Sequence, residues 1–251
     1  MYRRNEYIFH VDVNSAYLSW EATHRIQKGE PLDLRDVPSV VGGDPKKRSG
    51  IVLAKSIPAK KYGIKTGETL FVANQKCPNL ICIPPTYGLY MKCSDAFVEI
   101  LRSYSNLVQR FSVDECFMNM HNTQEDPINL ANTIKEHIYN ELGFTVNIGI
   151  STNKLLAKMA SDFKKPNRVH TLFKDDIEKK LWPLPVGDLF MVGRATKSKL
   201  NKLGIETIGE LANTDLSVLK NELKSHGQLV WEYANGIDSS AVRKTNYEMV
   251  K

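Results

Sequence analysis

Tyr7-Ile8-Phe9-His10-Val11-Asp12-Val13 is the stretch on which the fold turns. Its residues alternate, so Phe9, Val11 and Val13 share one face of a strand and Ile8, His10 and Asp12 the other. Asp12 therefore points away from the Phe9/Val11/Val13 face of an apolar, strand-like run. Asn14-Ser15 follows as a cap for a helix from Ala16 to about Gln27, which Lys28-Gly29 ends.

Further along, Arg110-Phe111-Ser112-Val113 and Cys116-Phe117-Met118-Asn119-Met120 flank Asp114-Glu115. Apolar runs on both sides of a short polar step predict a β-hairpin with the two acids near its tip. A helix from about Tyr87 to Ser105 precedes it; one from about Asn129 to Leu142 follows and leads to a strand from Phe144 to Ile150. Strand, helix, hairpin, helix, strand is an α+β plan with helices packed on one face of an antiparallel-rich sheet.

Asp12, Asp114 and Glu115 are then three carboxylates from two chain segments, a set suited to divalent metals that need bridging oxygens. Taken singly, Asp114-Glu115 reads more readily as a solvated turn and Asp12 as a helix-capping group.

Residues 38–84 differ in texture. Val40-Val41-Gly42-Gly43 and Gly50-Ile51-Val52-Leu53-Ala54 predict short strands around a basic loop, Asp44-Pro45-Lys46-Lys47-Arg48-Ser49. Lys55, Lys60, Lys61 and Lys65 follow, so the segment reads as a small basic subdomain with little core of its own. Ser151-Thr152-Asn153-Lys154 opens a helix to about Lys164. At 100° per residue, Lys154, Lys158, Ser161 and the projected Lys165 fall within about 60° of one another. Such a stripe is usually solvated; a lysine fixed there could instead meet a triphosphate as a point charge.

Residues 175–236 read as all-helical, broken by Pro183, Pro185, Gly193, Gly204 and Gly227. Leu189 to Thr196, a helix through Leu203, Gly204-Ile205 and Thr207 to Leu211 form a candidate helix-hairpin-helix. Lys197, Lys199 and Lys202 add sequence-independent attraction to phosphates. The stretch 239–251 has no periodicity and reads as a linker.

The chain has 251 residues, a formal net charge of +6 and a hydrophobic content of 42%, enough for a sizeable core and favourable to a polyanionic partner. No apolar run reaches the roughly 20 residues of a membrane span, and no signal-peptide pattern opens the chain. These features predict a cytoplasmic protein. Cys77, Cys82, Cys93 and Cys116 lack C-x-x-C spacing, against a zinc site.

Taken together, these residues resemble the Y-family, translesion DNA polymerases of the DinB/UmuC type. The resemblance covers essentially the whole chain. It rests on His10-Val11-Asp12-Val13-Asn14-Ser15-Ala16-Tyr17, Gly63-Ile64-Lys65-Thr66-Gly67 and Ser112-Val113-Asp114-Glu115. It continues through Gly149 to Lys154 with Lys165-Pro166-Asn167, and Met191-Val192-Gly193 through Leu203-Gly204-Ile205.

The resemblance implies a right-hand polymerase: a ferredoxin-like antiparallel palm (1–15 and 85–172), small fingers (16–84) and an all-helical thumb with helix-hairpin-helix (173–238). Residues 239–251 would lead toward a little-finger domain absent from this chain. It implies that Asp12, Asp114 and Glu115, with the carbonyl of Val13, bind two Mg²⁺ ions, Mn²⁺ being a possible substitute. Tyr17 would be the steric gate against ribonucleotides, and Lys60 and Lys165 would grip the dNTP triphosphate. Val192, Gly193, Arg194 and Lys197 would contact primer–template DNA. A sliding-clamp peptide would lie beyond Lys251.

The fingers motif departs from the family pattern, because Ile57 and Lys60 stand where an aromatic hydroxyl and an arginine are common. Isoleucine donates no hydrogen bond and lysine makes no bidentate fork, so weaker nucleotide affinity or compensation by Lys55 or Lys61 is expected. The competing readings are a palm-type nucleotide cyclase and a non-catalytic helix-hairpin-helix DNA-binding module.

Overall fold

The computed structural model describes residues 6–43, 50–121 and 125–244. The basic loop at 44–49 and the end of the expected linker, 245–251, lie outside the described residues. The chain begins with β1 (Tyr7–Val13), α1 (Ala16–Gln27), β2 (Ser39–Gly42), β3 (Val52–Lys55), α2 (Ile57–Lys61), α3 (Leu70–Lys76) and β4 (Ile81–Ile83). It continues with α4 (Tyr87–Tyr104), β5 (Val108–Arg110), β6 (Glu115–Met120), α5 (Pro127–Leu142), β7 (Val146–Ser151), α6 (Lys154–Asp162) and β8 (Val169–Thr171). After short 3₁₀ and π turns come α7 (Arg194–Lys202), α8 (Ile208–Ala212), α9 (Leu216–Leu223) and α10 (Ser225–Ala234).

The larger sheet has the order β5-β6-β1-β7-β8. β1 runs antiparallel to both β6 and β7, and β8 joins the edge parallel to β7. Strands β1, β5, β6 and β7 with their crossover helices make the ferredoxin-like α+β plan. The predicted face assignment of β1 holds. Phe9, Val11 and Val13 pack in the main core with Phe97, Leu101, Ile134 and Ile138 of α4 and α5. Ile8 packs on the other face with Phe117 and Ala157.

Helix α5 is strongly specified: Asp126 caps the amides of Ile128 and Asn129, Pro127 opens it, and Gly143 ends it at φ 73°. Helix α1 begins differently from expectation. Ser15 sits in the left-handed region (φ 49°, ψ 48°) and its side chain makes no cap hydrogen bond. Asn14 is not a cap either: its Oδ1 accepts from the Asn167 amide at 2.9 Å and from Thr145 Oγ1 at 2.9 Å.

Helix α6 covers the second face of the sheet, over β1 and β7. A Cβ on Gly149 would lie 1.9 Å from the Ala157 carbonyl oxygen, so glycine is what lets the helix lie this close. Ala157 and Ser161 face the sheet, while Leu155, Leu156, Met159 and Ala160 belong to the core of the helical region. The helix is thus packed on both sides.

The smaller sheet, β3-β2-β4, carries α2 and α3. It has a core of its own, contrary to the sequence reading: Val40, Val52, Ala59, Ile64, Leu70, Ala73, Cys77 and Leu80 are buried together. Strand β4 and helices α2 and α3 carry no clear sequence signal, because each is at most seven residues long and shows too little periodicity. Residues 239–244 are irregular, as a linker would be, yet Val242 is buried against Ile8, Phe117 and Ala157. The Arg243 amide also bonds Gln109 Oε1 at 3.1 Å. No helix among the described residues is long and apolar enough to cross a membrane.

Candidate active site

Asp12 is the penultimate residue of β1 and Glu115 opens β6, and the register sets them directly opposite. Directly opposed antiparallel residues project from the same face, so both carboxylates lie on the α6 side of the sheet. Asp114 precedes β6 in a tight turn. The amides of Phe111 and Ser112 bond the Glu115 carbonyl at 2.8 and 3.1 Å, and the Val13 amide bonds the Asp114 carbonyl at 3.0 Å. The turn is what frees neighbouring Asp114 and Glu115 from the opposite-face rule of a strand. Ser112 Oγ donates to Asp114 Oδ1 at 2.6 Å.

The Lys/Ser stripe of α6 is not a solvated face; it meets the carboxylates. Lys158 Nζ lies 2.9 Å from Glu115 Oε2, and Lys165 pairs with both Asp12 and Asp162. Ser161 Oγ lies 2.8 Å from Nδ1 of the fully buried His10, whose Nε2 faces Glu115 Oε2 at 3.5 Å. Lys154 lies over the Phe117 ring, 5.0 Å from its centroid.

Burial pushes the Asp12 carboxyl up to about 6, against the lowering effect of Lys165. Burial also pushes Glu115 up, but His10 and Lys158 outweigh it and hold this carboxyl down at about 2. His10 itself is kept below its ordinary value by burial. Lys165 is pushed up by Asp12 and Asp162 against its own burial.

Lys165 lies just beyond α6, and its loop is held by two buried amides. Asn147, opposite Asp12 on β7, donates to the carbonyls of Ser161 at 3.0 Å and Lys164 at 2.8 Å. Its Oδ1 accepts from the Arg168 amide and from Asn14 Nδ2, both at 3.2 Å. Tyr17, on the first turn of α1, stacks on Tyr90 with centroids 4.4 Å apart and planes within 9°. Burial, then the Asp114 charge, raises its hydroxyl pKa.

Asp12, Val13, Asp114, Glu115, Tyr17 and Lys165 therefore gather at one end of the sheet. Ile57 and Lys60 do not join them: both are exposed on α2 and make no contact with the carboxylates among the described residues. Lys55 is close enough to Lys60 for the two charges to oppose, which, after burial, lowers the Lys55 pKa. Val192, Gly193, Arg194 and Lys197 lie apart from the carboxylates, in and just before α7. Val192 is buried; Gly193 precedes α7, where Arg194 and Lys197 are exposed and line a shallow groove with Ser198, Asn201 and Lys202. Gly204 turns the chain at φ 78° toward α8.

His10, Asn14 and Asn147 went unrecognised as site residues because each reads as an ordinary strand or turn residue. Lys158 carried a signal, its place in the α6 stripe.

The oxygen donors suit hard divalent cations. Two ammonium groups already press against two of the carboxylates, which shows that this pocket demands positive charge. With the side chains so paired, no three metal-ligating groups among the described residues are drawn tightly together.

Residues 11–162 match the model of the impB/mucB/samB family, and residues 187–238 match that of the DNA polymerase-iota thumb domain. The chain is 55% identical to a DNA polymerase IV of Clostridium acetobutylicum over 244 residues, covering 96% of this chain and 62% of that protein. It is 41% identical to one from Acetivibrio thermocellus over 96% of this chain and 60% of the relative. DNA polymerase IV 2 of Bacillus subtilis is 38% identical over 98% and 60%. The chain thus spans about three-fifths of the length of these relatives.

Among solved structures, a Y-family DNA polymerase chimera, Dbh-Dpo4(243-245)-Dbh, superposes with a TM-score of 0.84 at 24% identity, covering 96% of this chain and 70% of that one. DinB from Sulfolobus solfataricus gives 0.82 at 24%, covering 94% and 69%. With a family model matched over more than half its length and a fold shared with Y-family polymerases, this chain belongs to the impB/mucB/samB family.

Proposed function

We propose that this chain is the catalytic core of a lesion-bypass DNA polymerase, transferring deoxynucleotides to a primer 3′-hydroxyl under the direction of a DNA template. One observation carries the reading: Asp12 and Glu115 are opposed on one face of the sheet, with Asp114 beside them and Lys165 paired to Asp12. DNA polymerase IV relatives support it.

In this reading Asp12, Asp114, Glu115 and the Val13 carbonyl hold two Mg²⁺ ions, or Mn²⁺ in their place. Bound there, the ions supply Lewis-acid activation of the hydroxyl and neutralise the leaving pyrophosphate. Lys165 exchanges Asp12 for the dNTP triphosphate. Tyr17, its ring fixed by Tyr90, stands where a ribose 2′-hydroxyl would clash. Lys60, flanked by Ile57, reaches the triphosphate from the fingers. Val192 and Gly193 at the start of α7, with the groove lined by Arg194 and Lys197, take the primer–template backbone through amides and point charges.

The palm is then 1–15 with 85–172, the fingers 16–84, the thumb 173–238, and 239–251 leads toward a little finger. Recruitment by a sliding clamp beyond Lys251 and a cytoplasmic site of action complete the proposal. The test is primer–template, dNTPs and Mg²⁺. Templated extension abolished by Asp114→Ala is the expected result. Cyclic nucleotide formation would instead indicate a cyclase, and DNA binding without turnover a binding module.

A further inference from the structure

Lys158 differs from Lys165 in how it is held. Its side chain is 12% exposed, against 38% for Lys165. Its ammonium lies 5.7 Å from the centroid of Phe111 and 5.5 Å from that of Phe190. Those rings come from two parts of the molecule and meet edge to face, 6.1 Å apart. Phe111 belongs to the turn that carries Asp114. Phe190 precedes α7, stacks on Tyr233 of α10 at 6.1 Å, and its amide bonds Met159 Sδ at 3.4 Å. A cation between two aromatic faces is attracted to both and loses freedom to move.

The two groups beside Glu115 face the same oxygen, Lys158 through a hydrogen bond and His10 without one. Lys158 Nζ and His10 Nε2 converge on Oε2, at 2.9 and 3.5 Å. No hydrogen bond or ion pair reaches Oε1 among the described residues. A carboxylate held by one oxygen presents the other, so the grip sets which oxygen of Glu115 a cation meets. A buried ion pair is by itself weak evidence of stabilisation; this one engages a carboxylate placed in the metal site.

We infer that Lys158 is a positioning residue that pins Oε2 of Glu115 and leaves Oε1 for the metal, and that Phe190 of the helical region holds Lys158 in place. The inference rests on the polymerase reading above. It makes Lys158 a fixed part of the site, in contrast to the more exposed Lys165, and ties the geometry of a metal ligand to the seating of the helical region on the palm.

The test uses the full chain with Lys158→Met, Lys158→Arg and Phe190→Leu. Mn²⁺ affinity without nucleotide is read by the electron paramagnetic resonance of free Mn²⁺, alongside kcat and dNTP KM in primer extension. Removing a nearby positive charge favours cation binding while the oriented ligand is lost. Lys158→Met should therefore tighten Mn²⁺ about threefold to tenfold. Its kcat should fall by about tenfold or more, with KM within about twofold. A group that merely supports the fold would weaken both properties. Lys158→Arg should restore part of kcat and the wild-type Mn²⁺ affinity. Phe190→Leu should shift Mn²⁺ affinity in the same direction as Lys158→Met by a smaller factor.

Unchanged Mn²⁺ affinity and kcat in Lys158→Met would overturn the inference. So would a large rise in KM at constant kcat, which would make Lys158 a phosphate ligand. Wild-type Mn²⁺ affinity in Phe190→Leu would overturn its link to the helical region. If Lys158→Met does not fold, Lys158→Arg and Phe190→Leu carry the decision. If the wild type extends no primer, the polymerase reading fails, while the Mn²⁺ measurements still decide the role of Lys158.

Discussion

Asp12 and Glu115 face each other across β1 and β6, yet their carboxyl groups are driven in opposite directions, to about 6 and about 2. Burial acts on both. It prevails at Asp12, which is 6% exposed, and yields at Glu115 to His10 and Lys158. One strand pair thus offers one carboxylate that is costly to ionise and one that is almost always ionised.

This asymmetry predicts a pH dependence in metal-free protein. The folded-state pKa of Asp12 is raised from 3.8 to about 6, so the folded form binds the proton more tightly than the unfolded chain. Stability from this group is full below pH 3.8 and is lost as pH rises through about 6. Relative to Asp12→Asn, wild type should lose about 3 kcal/mol across that window. Urea denaturation in chelator at several pH values measures the difference; a gap that widens in favour of wild type with rising pH would contradict it.

Gly149→Ala should destabilise the fold by about 3 kcal/mol, because the new methyl meets the backbone of α6. Neither strand nor helix backbone yields as a flexible side chain would. Thermal unfolding reads the loss. The displaced helix carries Lys158 and Ser161, so extension activity should fall even at temperatures where the variant is folded.

Asn147→Ala should cost about 2–4 kcal/mol, since the Ser161 and Lys164 carbonyls lose a buried donor. The loop carrying Lys165 should loosen with it. Steady-state kinetics should show a larger rise in dNTP KM than fall in kcat. An unchanged KM in a folded Asn147→Ala protein would separate this amide from nucleotide binding.

Ile57→Tyr combined with Lys60→Arg should lower dNTP KM by about threefold to tenfold, by adding a hydroxyl donor and a bidentate fork. Both positions are exposed on α2, so neither change disturbs a core. An unchanged KM would mean that Lys55 or Lys61 already supplies the missing contacts.

Much of the fold was legible in local pattern. The alternation of residues 7–13 assigned the faces of β1. The flanks of Asp114-Glu115 marked the hairpin tip, and the helix expected from about Asn129 to Leu142 is α5, which starts two residues earlier at Pro127. The short elements β4, α2 and α3 escaped because their stability comes from packing around Val40, Val52 and Leu70. Asn14 reads locally as a cap; its partners at Thr145 and Asn167 are more than a hundred residues away.

The order and chemistry of the motifs were determined by the sequence alone: three acids beside strand-like runs, a lysine stripe on a helix, a glycine-marked helical hairpin. These depend on periodicity and side-chain type, which are local. Only tertiary structure decided what those groups do to one another. The register of β1 with β6 made Asp12 and Glu115 neighbours. The bare backbone at Gly149 let α6 lie on the sheet and brought its Lys158 to Glu115. Ion pairing and burial depend on distance through space, and long-range packing sets that distance.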